Sequence, residues 1–251
     1  MFERIFDDLN VTKHQNVFIM SDILNLFSNK SFAEIPVFFS MLKSSVEKLS
    51  KSGKTIILPC FTYQFCQTGL FDLCLTKAQT GALPNSLLTS LHFRRSLAPI
   101  TSHLFSVKNT PQSLFECPLT TFGQDSVYNW LIKNNGLILN LGMPVSQENG
   151  WVLSHYVEEM LEVPYRHFKK FNGHMLDNNE LIGKCSQHHF VRTDPEKEND
   201  FSELNRYLFA GGAIFETTYE DVYANAVKAS DVEIAAKFLL EKNPHALLKS
   251  N

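Results

Sequence analysis

The chain is poor in cysteine, glycine and proline, has no excess of either charge, and lacks any long apolar run. Its five cysteines, Cys60, Cys66, Cys74, Cys117 and Cys185, are odd in number, and no pair is spaced CxxC. That pattern excludes a zinc ribbon and argues against a disulfide scaffold. Glycine (11) and proline (10) are too sparse for a fibrous or low-complexity protein. Lys and Arg total 23 against 26 Asp and Glu, a formal charge of −3. Such a balance speaks against a dedicated nucleic-acid binder, whose surface must neutralise phosphates. No apolar run nears the ~20 residues that a bilayer requires. The opening MFERIFDDLN carries acids where a secretory signal needs a continuous apolar core. No His, Cys or Asp cluster has metal-ligand spacing, so no metal is expected. These absences predict a cytoplasmic protein that binds neither membrane nor nucleic acid.

What is present can build a large core. Hydrophobic residues make up 44% of 251 positions, enough for a single domain over 1–251. Residues 16–20 (NVFIM) and 55–61 (TIILPCF) are short apolar runs that predict buried strands. Between them, residues 31–49 carry apolar side chains at helical spacing, and Gly53 follows. Strand, helix, strand implies a crossover and so an α/β sheet. Further along, 81–91 and 126–134 predict helices, and 103–108 and 137–141 predict strands. Residues 154–161 predict a helix with Ser154 as N-cap. Residues 164–200 form a candidate peripheral excursion, the first part mixed and aromatic, the last a solvated charged loop. Residues 230–240 predict an amphipathic helix.

Four segments, in order, resemble the aminoglycoside 3-N-acetyltransferase family. LPCFTY (58–63) is similar to its "MPTFT". The run FDLCLTKAQTGALPNSLL (71–88) fits "FDxxxTPxxxGxLxExxR" and leads into RRSLAPITS (94–102), similar to "RSxHPxxS". TTFGQDSVYNWL (120–131) is similar to "FGxxSPxxxL". LILNLGMP (137–144) with SHYVEEMLEVPYR (154–166) is close to "LLLGV…LHYAEExxxVPYR". The resemblance implies a three-layer α/β/α fold with a mixed, mainly parallel sheet. It also implies acetyl transfer from acetyl-CoA to a primary amine of a sugar-like acceptor. The oligomeric state stays open, a homo-oligomer included.

An ammonium ion cannot attack a thioester, so such an enzyme needs a base, and a neutral imidazole is suited to that task. His155 lies in the first turn of its predicted helix, and Glu158 follows three residues later on the same face, where it can orient the ring. Spacing alone fits a solvent-facing pair equally well; the resemblance implies that His155 is the general base. It also implies cofactor contacts by Arg94, Arg95, Ser96 and Ser102, because arginine suits phosphate through paired charge-assisted hydrogen bonds. Thr62 and Tyr63 stand at a strand's carboxyl end, where ligands of open α/β sheets bind. Asp72 and Asp125 are candidate acids for a cationic acceptor, although Asp72 equally suits a cap on the turn to Thr76.

The family pattern breaks at four places. Ser21-Asp22-Ile23 replaces "HSS", Ala98 replaces the histidine of "HP", Val152 replaces a hydroxyl residue before the base, and Gln64 replaces an acid. These breaks and the mild net charge favour an amino-sugar acceptor, nucleotide-linked for surface-glycan synthesis. Aminoglycoside 3-N-acetylation with drug resistance is the alternative. A non-catalytic glycan- or CoA-binding relative is a third possibility; a His155 facing an open cleft with a carboxylate partner would support an enzyme, and a plugged cleft a binding module.

Overall fold

The computed structural model describes residues 1–146 and 149–249. Positions 147 and 148 of the MPVSQENGW loop lie outside the described residues. In chain order the first elements are α1 (Phe2–Asp8), β1 (Asn16–Ser21), α2 (Ile23–Leu26), α3 (Ile35–Lys51), β2 (Thr55–Pro59), α4 (Phe65–Thr68), β3 (Leu70–Asp72), α5 (Ala82–Leu87), β4 (Phe93–Arg95) and β5 (His103–Ser106). They are followed by α6 (Val127–Lys133), β6 (Leu137–Leu141), α7 (Ser154–Met160), β7 (Arg166–Asp177), β8 (Glu180–Arg192), α8 (Ser202–Ala210), β9 (Phe215–Tyr219), β10 (Val222–Lys228) and α9 (Ala229–Lys242).

Seven strands form the main sheet in the order β4-β5-β2-β1-β6-β10-β9. The central strands β2, β1 and β6 are parallel, as buried crossover strands should be. The outer pairings β2–β5, β4–β5, β6–β10 and β9–β10 are antiparallel, so the parallel part of this mixed sheet is confined to its middle. Strand alternation sends side chains to two faces. Val17, Ile19, Ile56 and Leu58 pack with α1, α3 and α5 on one face. Phe18, Ile57 and Ile138 pack with α6, α7, α8 and α9 on the other. The result is a three-layer α/β/α molecule.

Residues 166–192 form a long antiparallel hairpin, joined at one edge by β3 into a second sheet. The hairpin does more than decorate the surface. An isolated bridge between Thr120 and His188 ties β8 to the segment before α6. Among the described residues, no helix is long and apolar enough to cross a membrane.

Helix α7 begins one residue earlier than a Ser154 cap would place it. Leu153 occupies the N-cap position and makes no side-chain capping bond. Ser154 lies inside the first turn, fully buried, and its hydroxyl has no partner. The helix N-terminus is held instead by a tight turn, with the Ser154 N–H donating to Trp151 O.

Candidate active site

Helix geometry brings His155 and Glu158 together on one face of α7. Nδ1 of His155 lies 2.5 Å from Glu158 Oε2. The His155 side chain is 25% exposed, whereas that of Glu158 is wholly buried. A carboxylate sealed from water needs partners. Tyr165 Oη donates to Glu158 Oε1 at 2.6 Å, and the Arg166 guanidinium reaches Oε2 at 3.2 Å. Burial by itself would raise the Glu158 carboxyl; His155, Arg166 and Tyr165 outweigh it and hold the group below the usual glutamate range. The carboxylate is therefore charged and only accepts, so Nδ1 of His155 carries the proton that it donates. Nε2 is the ring nitrogen left free of Glu158.

The chain reaches this arrangement through a reversal after α7. Glu162 adopts a left-handed conformation (φ 46°), which side chains other than glycine seldom occupy. The turn folds Val163-Pro164-Tyr165-Arg166 back beneath the helix, and Val163 N–H donates to Glu158 O. Tyr165 and Arg166 thereby meet a carboxylate that precedes them by seven and eight residues.

His155 opens on a cleft of about 450 Å³, lined also by Tyr63, Phe122, Arg166, His189, Val191, Arg192, Pro195 and Asn199. The Phe122 ring meets the His155 ring edge-on, 5.4 Å between centroids. His189 comes from β8, and its Nδ1 is 2.9 Å from Thr121 Oγ1. Burial, then the nearby His155 and Arg166, pushes the His189 ring down to about 4, so it is neutral at physiological pH. Strand alternation accounts for its placement: His188 and His189 face opposite ways, and only His189 enters the cleft.

A second groove, of about 470 Å³, lies on the other side of residues 120–123, lined by Glu116, Asp125, Asn129, Trp130 and Lys133 among others. It adjoins a narrow channel of about 20 Å³, room for about one water molecule, lined by Ser96, Ala98, Thr101, His103 and Thr121 among others. The two share Ser113, Leu114, Glu116, Pro118, Asp125 and Ser126. Thr101 Oγ1 and Ser126 Oγ on the channel are buried and have no partner. An unpaired buried polar atom is costly, and the space beside these hydroxyls is large enough for one bridging water. Among the described residues, no group of three His, Cys, Asp or Glu side chains has the arrangement of a metal site.

Several residues expected at the site do other work. Arg95 is 7% exposed. Four of its five N–H donors are taken up by Ser102 Oγ and the carbonyls of Leu73, Thr76 and Cys60. Its guanidinium also lies 4.7 Å above the Phe71 ring. It knits the 72–76 turn to β2 and is not placed to clamp a phosphate. Ser102 is fully buried and donates to Cys60 O. Ser96 accepts from the His103 N–H through Oγ, inside the β4–β5 pairing, although it borders the channel. Arg94 points the other way, exposed, donating to Gln112 and stacked on Phe115.

Thr62 is buried and donates to Pro99 O. Asp72 proves to be a turn cap: Oδ1 accepts from the Cys74 and Leu75 N–H groups and Oδ2 from that of Asn179. Burial would raise the Asp72 carboxyl, and these backbone donors hold it low instead. Of the acceptor-side candidates only Tyr63 lines the His155 cleft; Asp125 lies on the second groove. Asp22 caps α2, Ala98 lines the channel, and Val152 packs on the core. Sequence reasoning missed Phe122, Tyr165, Arg166 and His189 as site residues. The VPYR segment held a signal for two of them.

The network around Arg95 makes a prediction. Arg95→Ala strips charged donors from one buried carbonyl and two part-buried ones and should cost about 2–4 kcal/mol of stability. Urea denaturation reads that loss. CoA affinity of the folded protein should change little, and a selective loss of CoA binding with unaltered stability would return Arg95 to the cofactor site.

Comparison with known proteins places this geometry in a family. A family model described as aminoglycoside 3-N-acetyltransferase matches residues 42–241. A search of curated proteins by sequence returns no match. Among solved structures, the apoenzyme of aminoglycoside acetyltransferase AAC(3)-IVa superposes with a TM-score of 0.72 at 16% identity, covering 99% of this chain and 91% of the other. The binary complex of AAC-IIIb with CoASH gives 0.72 at 16% identity, covering 96% of each chain. Sisomicin-bound AAC-VIa gives 0.72 at 14% identity, covering 95% of this chain and 96% of the other. The match spans helix α7 with His155, both grooves and most of the sheet, and the chain accordingly belongs to the aminoglycoside 3-N-acetyltransferase family, whose members are acetyl-CoA-dependent N-acetyltransferases.

Proposed function

We propose that this protein acetylates an amine of an aminoglycoside-type amino sugar, with His155 as general base. The observation that carries this reading is the His155–Glu158 pair, a ring with a buried carboxylate behind it and an open cleft before it. Acetyl-CoA supplies the acetyl thioester. The groove of about 470 Å³ beside Asp125, Asn129 and Lys133 offers room for part of the cofactor. Across residues 120–123, the cleft receives the amine. Nε2 of His155 removes the ammonium proton and frees the nitrogen lone pair. Glu158 stabilises the imidazolium that forms, through Nδ1. With Val152 lacking a hydroxyl, support for the developing oxyanion falls to backbone N–H groups.

Charge around the cleft favours a cationic acceptor. Pro195 and Asn199 of its wall belong to the loop 194–200, which carries Asp194, Glu196, Glu198 and Asp200 against Lys197. Asp194, Glu196 and Glu198 are exposed at the rim. Arg166 and Arg192 line the cleft itself and Glu198 pairs with Lys249, so the attraction for a cation rests on the exposed Asp194 and Glu196. A nucleotide-linked acceptor would need cationic donors ready for its phosphates. Arg166 is engaged by Glu158 and Phe190 O, and Arg192 donates to Lys197 O.

A thiol-release assay with acetyl-CoA tests the proposal. A panel of aminoglycosides, simple amino sugars and nucleotide-linked amino sugars supplies the acceptors. The expected result is turnover with aminoglycosides exceeding that with the other two classes, and falling as salt screens the acidic rim. Turnover confined to nucleotide-linked sugars would overturn the acceptor assignment.

A further inference from the structure

Helix α7 carries two consecutive buried glutamates, and the mechanism above uses only the first. Glu159 is 2% exposed, one helical turn beyond His155 and about 100° around the helix from Glu158. Its Oε2 accepts the Phe122 backbone N–H at 3.2 Å. Oε1 closes over Gly123: a Cβ there would stand 3.0 Å from it and 2.1 Å from Thr120 Oγ1. The corner is packed so closely that only glycine fits.

The segment held in this way is the partition between the two cavities. Phe122 lies against the His155 ring on the cleft side. Thr121 lines the channel and also bonds His189. We propose that Glu159 is a positioning residue for acetyl transfer, setting the 120–123 partition, and hence the approach of acceptor amine to acetyl thioester, through its bond to the Phe122 N–H. The inference rests on the functional reading above. Burial raises the Glu159 carboxyl, only partly offset by Thr120 and the Phe122 N–H. What the Phe122 N–H requires of this side chain is an acceptor oxygen. Glutamine supplies one and alanine does not.

Two variants and two readouts form the test. Amide exchange at Phe122 reads the clamp, and kcat per folded molecule reads its use. Glu159→Gln should keep the Phe122 amide protected and kcat close to wild type. Glu159→Ala should accelerate Phe122 exchange and lower kcat by about 10- to 100-fold, the cost of a small misplacement of reacting groups. KM for both substrates should change little, because other side chains contact them. A merely structural role would lower Tm and the folded fraction yet leave kcat per folded molecule unaltered, and that result overturns the proposal. So does a Glu159→Gln variant as impaired as Glu159→Ala. If the wild-type protein acetylates no amine in the panel, the functional reading itself fails, while Phe122 exchange still reports separately whether the clamp exists.

Discussion

His155→Ala is expected to lower kcat for acetyl transfer by about 100- to 10,000-fold, the usual worth of a positioned general base. Fold and Tm should stay near wild type. The ring is a quarter exposed, and Glu158 keeps Tyr165 and Arg166 when the imidazole is gone. The loss should fall on kcat and on kcat/KM alike, because the proton is removed on the way to the transition state. Single-turnover thiol release, with circular dichroism on the same sample, measures both quantities. Wild-type turnover in a folded His155→Ala protein would remove this residue from the mechanism.

Glu158→Gln should damage both chemistry and fold. It leaves the Arg166 guanidinium, 9% exposed, beside a neutral amide. Stranding a buried charge costs about 3–5 kcal/mol, or a fall in Tm of about 6–20 °C in a domain of this size. Activity should drop as well, because a neutral amide stabilises an imidazolium less than a carboxylate does. The effect has a defined pH dependence. Glu158 has a folded-state pKa below its unfolded value, so its stabilising contribution is complete above the unfolded value, ~4.3, and is lost as pH falls through the folded one. The Tm gap between wild type and Glu158→Gln should therefore be widest at neutral pH and shrink below ~4.3. Thermal scans at pH 7 and pH 3.5 check this. A gap equal at both values would show that Glu158 is not the charged partner of Arg166.

The His155–Glu158 pair was legible because it depends only on helix geometry: residues three apart on a helix are neighbours wherever that helix packs. The pair's surroundings were not. Tyr165 and Arg166 reach Glu158 through a reversal at Glu162, a residue whose type gives no hint of a left-handed turn. His189 enters the cleft because β8 packs beside residue 120, a contact nearly seventy positions distant. Arg95 illustrates the opposite error. Its motif suggested a phosphate clamp, but a long side chain takes whichever partners the fold brings near, and three carbonyls of its own chain are nearer.

The sheet shows the same division. Strands β1, β2 and β6 are continuous apolar runs, buried on both faces, and their composition marks them without reference to neighbours. The β9–β10 hairpin carries no such mark. It turns at Glu220-Asp221, both at positive φ, where Asn-Gly would have announced a tight turn. The acidic loop 194–200 looked like ordinary solvated chain until the fold set it at the rim of a cleft.

Hydrophobic periodicity and residue order were enough to establish an α/β core, the helix that pairs His155 with Glu158, and the family. Those properties reside in neighbouring residues, where chain connectivity alone fixes the geometry. The partition between two cavities, the cation behind Glu158 and the second buried glutamate became visible only when distant segments packed together. Burial is what gives those contacts their force, since in water each of these polar groups would be satisfied by solvent.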